Sequence, residues 1–162
     1  MSDASPMLHH FHAQQLLTAY TRLVDAKDVE GLAAITHPDI VLVRSADAAP
    51  RAGREAFLDM YRDFARSDVQ ESQHMTTNVT AVELDGGSLA VAACFLAITT
   101  HPDGARATWG RYNDEIAERD GKWVFTAKRI QVTRTALISE DMLAPLNASS
   151  FEPMPSASGV PA

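Results

Sequence analysis

The feature that most constrains this chain is a change of period near Asp68. Before it, apolar residues recur at helical spacing. After it, four long segments rich in β-branched and small apolar residues alternate with turn signals. In the first half, Leu16, Leu17, Tyr20, Leu23 and Val24 form one apolar stripe from Gln14 onward. Asp28 is placed as the N-cap of a short second helix through Gly31–Ile35. His37-Pro38-Asp39 is expected to be a turn before a buried strand, Ile40–Arg44. Arg54–Arg66 returns to helical spacing through Phe57, Met60, Tyr61 and Phe64. The second half reads as strands at His74–Leu84, Ser88–Thr100, Ala105–Arg119 and Lys122–Thr135. Asp85-Gly86-Gly87, the His101–Gly104 turn and Asp120-Gly121 separate them. Helices followed by long antiparallel strands predict an α+β fold, one curved sheet wrapped around about three N-terminal helices. Such a sheet has a concave side that forms a cone, and the mouth of the cone is a natural small-molecule pocket.

Residues 1–12 show no sustained period and are expected to be a flexible lead. Residues 13–136 form the expected domain, and 137–162 a tail rich in Pro, Ser and Ala with a short turn at 142–146. At 162 residues the chain suits one domain, and its single cysteine, Cys94, rules out an internal disulfide. Fourteen Lys and Arg against 21 Asp and Glu give a net charge of −7, which argues against nucleic acid and anionic membrane surfaces as partners. No apolar run reaches the length of about 18 residues that spans a bilayer, and Met1–His12 lacks the layout of a secretory signal. A cytoplasmic location is the expectation. No glycine-rich nucleotide motif is present, and His9, His10 and His12 lack a further ligand in a fixed frame. No cofactor and no metal are therefore expected.

Asp25 lies late in the first helix, where a carboxylate faces the negative end of the helix dipole at a cost of about 0.3–1 kcal/mol. A cation offsets that cost: either Arg22 or Lys27 nearby, with Asp25 a solvated helix end, or an imidazolium such as His74. In the second case the two form an acid/base dyad. Tyr20, on the apolar stripe, is either a core residue or a pocket donor. Phe57 and Phe95 are candidates for core or pocket wall. Tyr112 and Asn113 point to opposite faces of one strand, so only one of them can line a pocket.

The segments AYTRLVDAKDVEGLAAITHPDIVLV, GREAFLDMYRDF, SQHMTTNVTAVELDG and GRYNDEIAERDGKWVFTAKRIQV, in that order, resemble the SnoaL-like branch of the NTF2-like superfamily over about residues 13–135. The resemblance implies a cone-shaped fold that hosts dehydratases, isomerases and cyclases as well as non-catalytic binding domains. Ketosteroid isomerases of this superfamily carry an acidic base where this chain has Arg44, and an acid near Asn113. Scytalone dehydratase, bile-acid 7α-dehydratase and hexachlorocyclohexane dehydrochlorinase resemble it more usefully. They pair an Asp near the end of the first helix with a His opening the strand after the third helix, a pattern matched by Asp25 and His74. Arg129 matches an Arg of the dehydrochlorinases, and Tyr20 stands where they hold a Lys, as expected for an oxygen leaving group. A second His of scytalone dehydratase falls in the stretch CFLAITT, with His101 only in the following turn.

The expectation is a cofactor-independent lyase acting by dehydration on a hydrophobic cyclic or polycyclic molecule. Asp25, His74, Tyr20 and Arg129 would be catalytic; Tyr61, Phe57, Phe95, Tyr112 and Asn113 would bind substrate. An isomerase or cyclase using the same pocket, and a non-catalytic binding or oligomerisation domain, are the alternatives. A homodimer or higher homo-oligomer is implied by the resemblance.

Overall fold

The computed structural model describes residues 4–143. Its first helix, α1 (Ala4–Asp25), begins ten residues before Gln14, where the sequence pattern becomes helical. Met7, Leu8 and Phe11 are largely exposed, so the first turns carry no apolar face to read. Residues 4–12 are thus helical rather than a loose lead. The stripe from Ala13 through Leu17, Tyr20 and Val24 is buried.

The end of α1 is tightly specified. Lys27 takes a left-handed φ of 56°, and the amides of Lys27 and Asp28 return to the carbonyls of Val24 and Leu23. Asp28 then caps α2 (Val29–Ala34) by accepting from the Gly31 amide at 2.8 Å. This closure leaves Asp25 at a fixed helix end.

Strand β1 (Thr36–Arg44) contains His37, Pro38 and Asp39, which were expected to form a turn. Pro38 is tolerated because β1 meets the two-residue strand β2 (Arg51–Ala52) only at Val41 and Leu42, leaving that stretch without an amide to lose. Helix α3 (Arg54–Arg66) follows, with Phe57, Leu58 and Tyr61 buried. Then come β3 (Glu71–Glu83), β4 (Leu89–His101), β5 (Gly104–Arg119) and β6 (Lys122–Ser139). The strands form one sheet in the order β2-β1-β6-β5-β4-β3, parallel between β1 and β6 and antiparallel elsewhere. This is the α+β cone, a curved mixed sheet against three helices.

Irregular pairings bend the sheet. Asn78, at φ 53°, sits in a break of the β3–β4 register between Thr77 and Thr80. A second break between Trp109 and Gly110 lets β6 close on β5, and a side chain at Gly110 would collide with the Gln131 carbonyl. At the far end, β6 pairs on to Ser139 opposite Gly104, three residues past the expected domain end. Leu137 there is exposed, so backbone pairing rather than burial extends the strand. Glu140–Met142 makes one 3-10 turn, and the rest of the expected tail, 144–162, lies outside the described residues. No helix among the described residues is long and apolar enough to cross a membrane.

Candidate active site

Among the described residues, strand β3 is an edge strand, so one side of it offers amides that no neighbouring strand takes. The end of α1 lies against this edge. Asp25 Oδ2 accepts from the His74 amide at 2.8 Å, and Oδ1 accepts from the Ser72 hydroxyl at 2.7 Å. His74 Nδ1 lies 2.6 Å from the same Oδ1. Three donors thus converge on one carboxylate and offset its unfavourable place at the helix end. Ser72 and His74 are two residues apart and project from the same face of the strand. An ionised Asp25 is an acceptor only, so in the neutral ring Nδ1 carries the proton and Nε2 keeps its lone pair. Nε2 has no protein partner among the described residues, and His74 lines a cavity.

That cavity has a volume of about 330 Å³. Its walls are mainly apolar: Val24 from α1, Met60 and Phe64 from α3, Phe95 and Ala97 from β4, and Ile130 and Val132 from β6. Its polar groups are few: Tyr20, Tyr61, Tyr112, Arg44, Thr99 and Thr108, together with His74. The Tyr20 and Tyr61 hydroxyls lie 2.8 Å apart. Burial drives the acidity of both phenols, and that of Tyr112, well below normal, so all three stay protonated at any ordinary pH.

Beneath the tyrosines lies a sealed ion pair. Lys128 Nζ donates to Asp114 Oδ2 at 2.6 Å, and both side chains are wholly inaccessible. The other carboxylate oxygen accepts from the Arg129 amide at 2.9 Å. The ammonium sits 3.4 Å from the centre of the Tyr112 ring and 4.2 Å from that of Tyr20. Phe95 stacks on Tyr112 with centroids 4.5 Å apart. Burial pushes the Asp114 carboxyl up and the Lys128 ammonium down, and each partner opposes the other's shift. Neither residue was singled out from the sequence; the signal available was a lysine on the inward side of an apolar strand.

Of the expected site residues, the structure brings together Asp25, His74, Tyr20, Tyr61, Phe95 and Tyr112. Three expectations are corrected. Arg129 and Asn113 are exposed on the convex side of the sheet, where Arg129 Nη1 donates to the Asn113 carbonyl at 3.3 Å. Alternation decides this: Lys128 and Ile130 point inward, so Arg129 points out. Phe57 is fully buried in the core against Tyr61, behind the cavity wall. His101 lies apart, with Nδ1 2.9 Å from Asp68 and Nε2 3.0 Å from the hydroxyl of Thr99. Cys94 is half-buried on β4. Among the described residues, no three His, Cys, Asp or Glu side chains gather as metal ligands.

A family model described as SnoaL-like domain matches residues 12–129. No curated protein matches the chain by sequence. Among solved structures, a candidate scytalone dehydratase from Novosphingobium aromaticivorans superimposes with a TM-score of 0.76 at 19% identity, covering 85% of this chain and 92% of its own. A hexachlorocyclohexane dehydrochlorinase, LinA-type3 from Novosphingobium barchaimii, gives 0.75 at 18% identity, with 90% and 100% covered. The ActVI-ORFA protein of Streptomyces coelicolor gives 0.59 at 17%, with 75% and 93% covered. These likenesses are of fold.

Proposed function

The chain belongs to the SnoaL-like domain family, and on that premise we propose that it is a cofactor-independent lyase that dehydrates a hydrophobic cyclic molecule. The observation that carries this reading is the Asp25–His74 contact at 2.6 Å on the wall of an apolar cavity, with Nε2 unspent. Relatives of the same fold named as a candidate dehydratase and a dehydrochlorinase add support, since both names describe eliminations.

The substrate in this reading is a β-hydroxyketone. His74 Nε2 removes the proton from the carbon next to the carbonyl, and Asp25 stabilises the imidazolium that forms. The electron pair moves onto the carbonyl oxygen, which accepts a hydrogen bond from the one hydroxyl hydrogen of the Tyr20–Tyr61 pair not spent between them. Collapse of the enolate breaks the bond to the β-hydroxyl, which takes the proton back from His74 and departs as water. Tyr20 and Tyr61 take the role expected of Tyr20 and Arg129. Enolisation without loss of water would use the same groups and yield an isomer instead.

The test is conversion of 3-hydroxy-1-tetralone to 1-naphthol, followed by fluorescence, alongside α-proton exchange of 2-tetralone in D₂O by NMR. His74→Ala and Asp25→Asn should each lower both rates by about 10²–10⁴ while the far-UV spectrum stays unchanged. Undiminished rates in a folded His74→Ala protein would overturn the reading.

A further inference from the structure

Among the described residues, Arg44 is the one Lys or Arg that lines the cavity, and part of its guanidinium has no protein partner. It ends β1, where the chain leaves the sheet through Ser45 to a loop that folds back onto the guanidinium. Asp47 in that loop accepts from Arg44 Nε at 2.9 Å and from Nη2, and its Oδ1 also accepts from Arg51 Nη2 at 3.1 Å. Asp47 therefore grips the side edge of the guanidinium. Two of the five N–H bonds are spent there. Nη1 has no protein partner among the described residues, so the end edge, an Nη1 hydrogen beside the second Nη2 hydrogen, is left open. That edge is the one that matches the two oxygens of a carboxylate.

Arg44 shares the Asp47 carboxylate with Arg51, so Asp47 is not wholly committed to Arg44. The Arg44 side chain is 28% exposed, so it can be reached, yet its orientation is locked by Asp47, which is only 10% exposed. A locked, half-satisfied guanidinium facing an apolar cavity is a recognition group. The other cation of the cavity region, Lys128, is sealed and fully occupied by Asp114. The opposite functional group, His74, is a base and gives an anion nothing to bind while it is neutral.

We propose that Arg44 is an anion anchor, and that the substrate of this pocket is a hydrophobic cyclic molecule carrying one carboxylate. Asp47 is its positioning residue. This deepens the lyase reading by naming the substrate class, and it rests on that reading only for the reaction that follows binding.

The test is a pair of probes of one shape, 2-naphthoate and 2-naphthylmethanol, titrated into the full chain at pH 8 by calorimetry. The wild-type protein should bind the naphthoate at least about ten-fold more tightly, the least expected of a charge-assisted pair. Arg44→Gln should abolish that preference while leaving the naphthylmethanol affinity unchanged, and Arg44→Lys should keep part of it. Asp47→Asn should weaken naphthoate binding alone. His74→Ala should retain the full preference, which separates this anchor from the dyad. Equal affinity for the two probes, absence of naphthoate binding, or a preference that survives in Arg44→Gln would each overturn the proposal. Loss of turnover in His74→Ala with the preference intact leaves both readings standing. Undiminished turnover with the preference intact sinks only the lyase.

Discussion

Two acid–base pairs of the same length, one beside the cavity and one beneath it, differ in what surrounds them. Asp25–His74 and Asp114–Lys128 both meet at 2.6 Å. The Asp114 and Lys128 side chains are inaccessible, and the carboxylate is spent on the Lys128 ammonium and the Arg129 amide. Asp25 and His74 remain 23% and 13% exposed, and one nitrogen faces a cavity unspent. A sealed pair has no chemistry left to offer; it fixes the floor on which Tyr112 and Tyr20 rest. An open pair of the same geometry holds a proton acceptor in place. The difference lies in where the two pairs stand: one at the centre of the β5–β6 hairpin, the other between a helix end and the free edge of β3.

The comparison breaks most sharply in stability. Asp114→Ala strands the Lys128 ammonium in the core and should cost about 3–5 kcal/mol in urea unfolding. Replacing both partners by apolar residues, Asp114→Leu with Lys128→Met, should cost less than either single change, because no buried charge remains. A double variant worse than the singles would show that the pair stabilises through its charge. His74→Ala, in contrast, should change stability by about 1 kcal/mol or less while removing most turnover, since the Ser72 and backbone donors still hold Asp25.

The fold was largely legible from the period change, the turn signals and the resemblance. The pairing partner of Asp25 was legible only through the resemblance, since a helix-end carboxylate wants a cation and the residues alone offered Arg22 and Lys27 as well as His74. The donor side was not. Arg129 looked right by likeness, and only the register of β6, with its irregular step at Glu115/Ile116, decides that Lys128 faces in and Arg129 out. Arg44 was visible as the residue in place of an acidic base, yet its open edge depends on Asp47 folding back across a loop whose Ala and Asp residues carry no periodicity. Phe57 and Tyr61 share one helical face, and packing depth alone separates core from cavity wall.

A smaller effect sharpens the contrast between the tyrosines and the dyad. Tyr61→Phe removes one member of the 2.8 Å hydroxyl pair. The Tyr20 hydroxyl is then buried with one partner fewer, and stability should fall by about 0.5–1.5 kcal/mol. If the pair polarises the reacting carbonyl, kcat should fall with little change in KM; a rise in KM alone would make Tyr61 a wall residue.

The smallest expected effect concerns a third carboxylate, Asp47, which differs from both pairs in being shared by two guanidiniums. The hydrogen bond from Arg44, with Arg51 helping, holds its carboxyl down at about 2, against an ordinary value near 3.8. A carboxyl whose folded value is depressed contributes stability above its unfolded value and loses it as pH falls through the folded one. Wild type should therefore exceed Asp47→Asn in stability by a constant amount above about pH 4. The gap should shrink below that and close as pH approaches 2, as read from urea midpoints at each pH. Screening by solvent keeps the gap small, and added salt should narrow it further. Asp114→Asn should show no such salt dependence, because its charge meets no solvent. A gap that stays constant down to pH 2 would mean that Asp47 orders the loop by hydrogen bonding alone, and that Arg44 keeps its orientation whether or not the carboxyl is ionised.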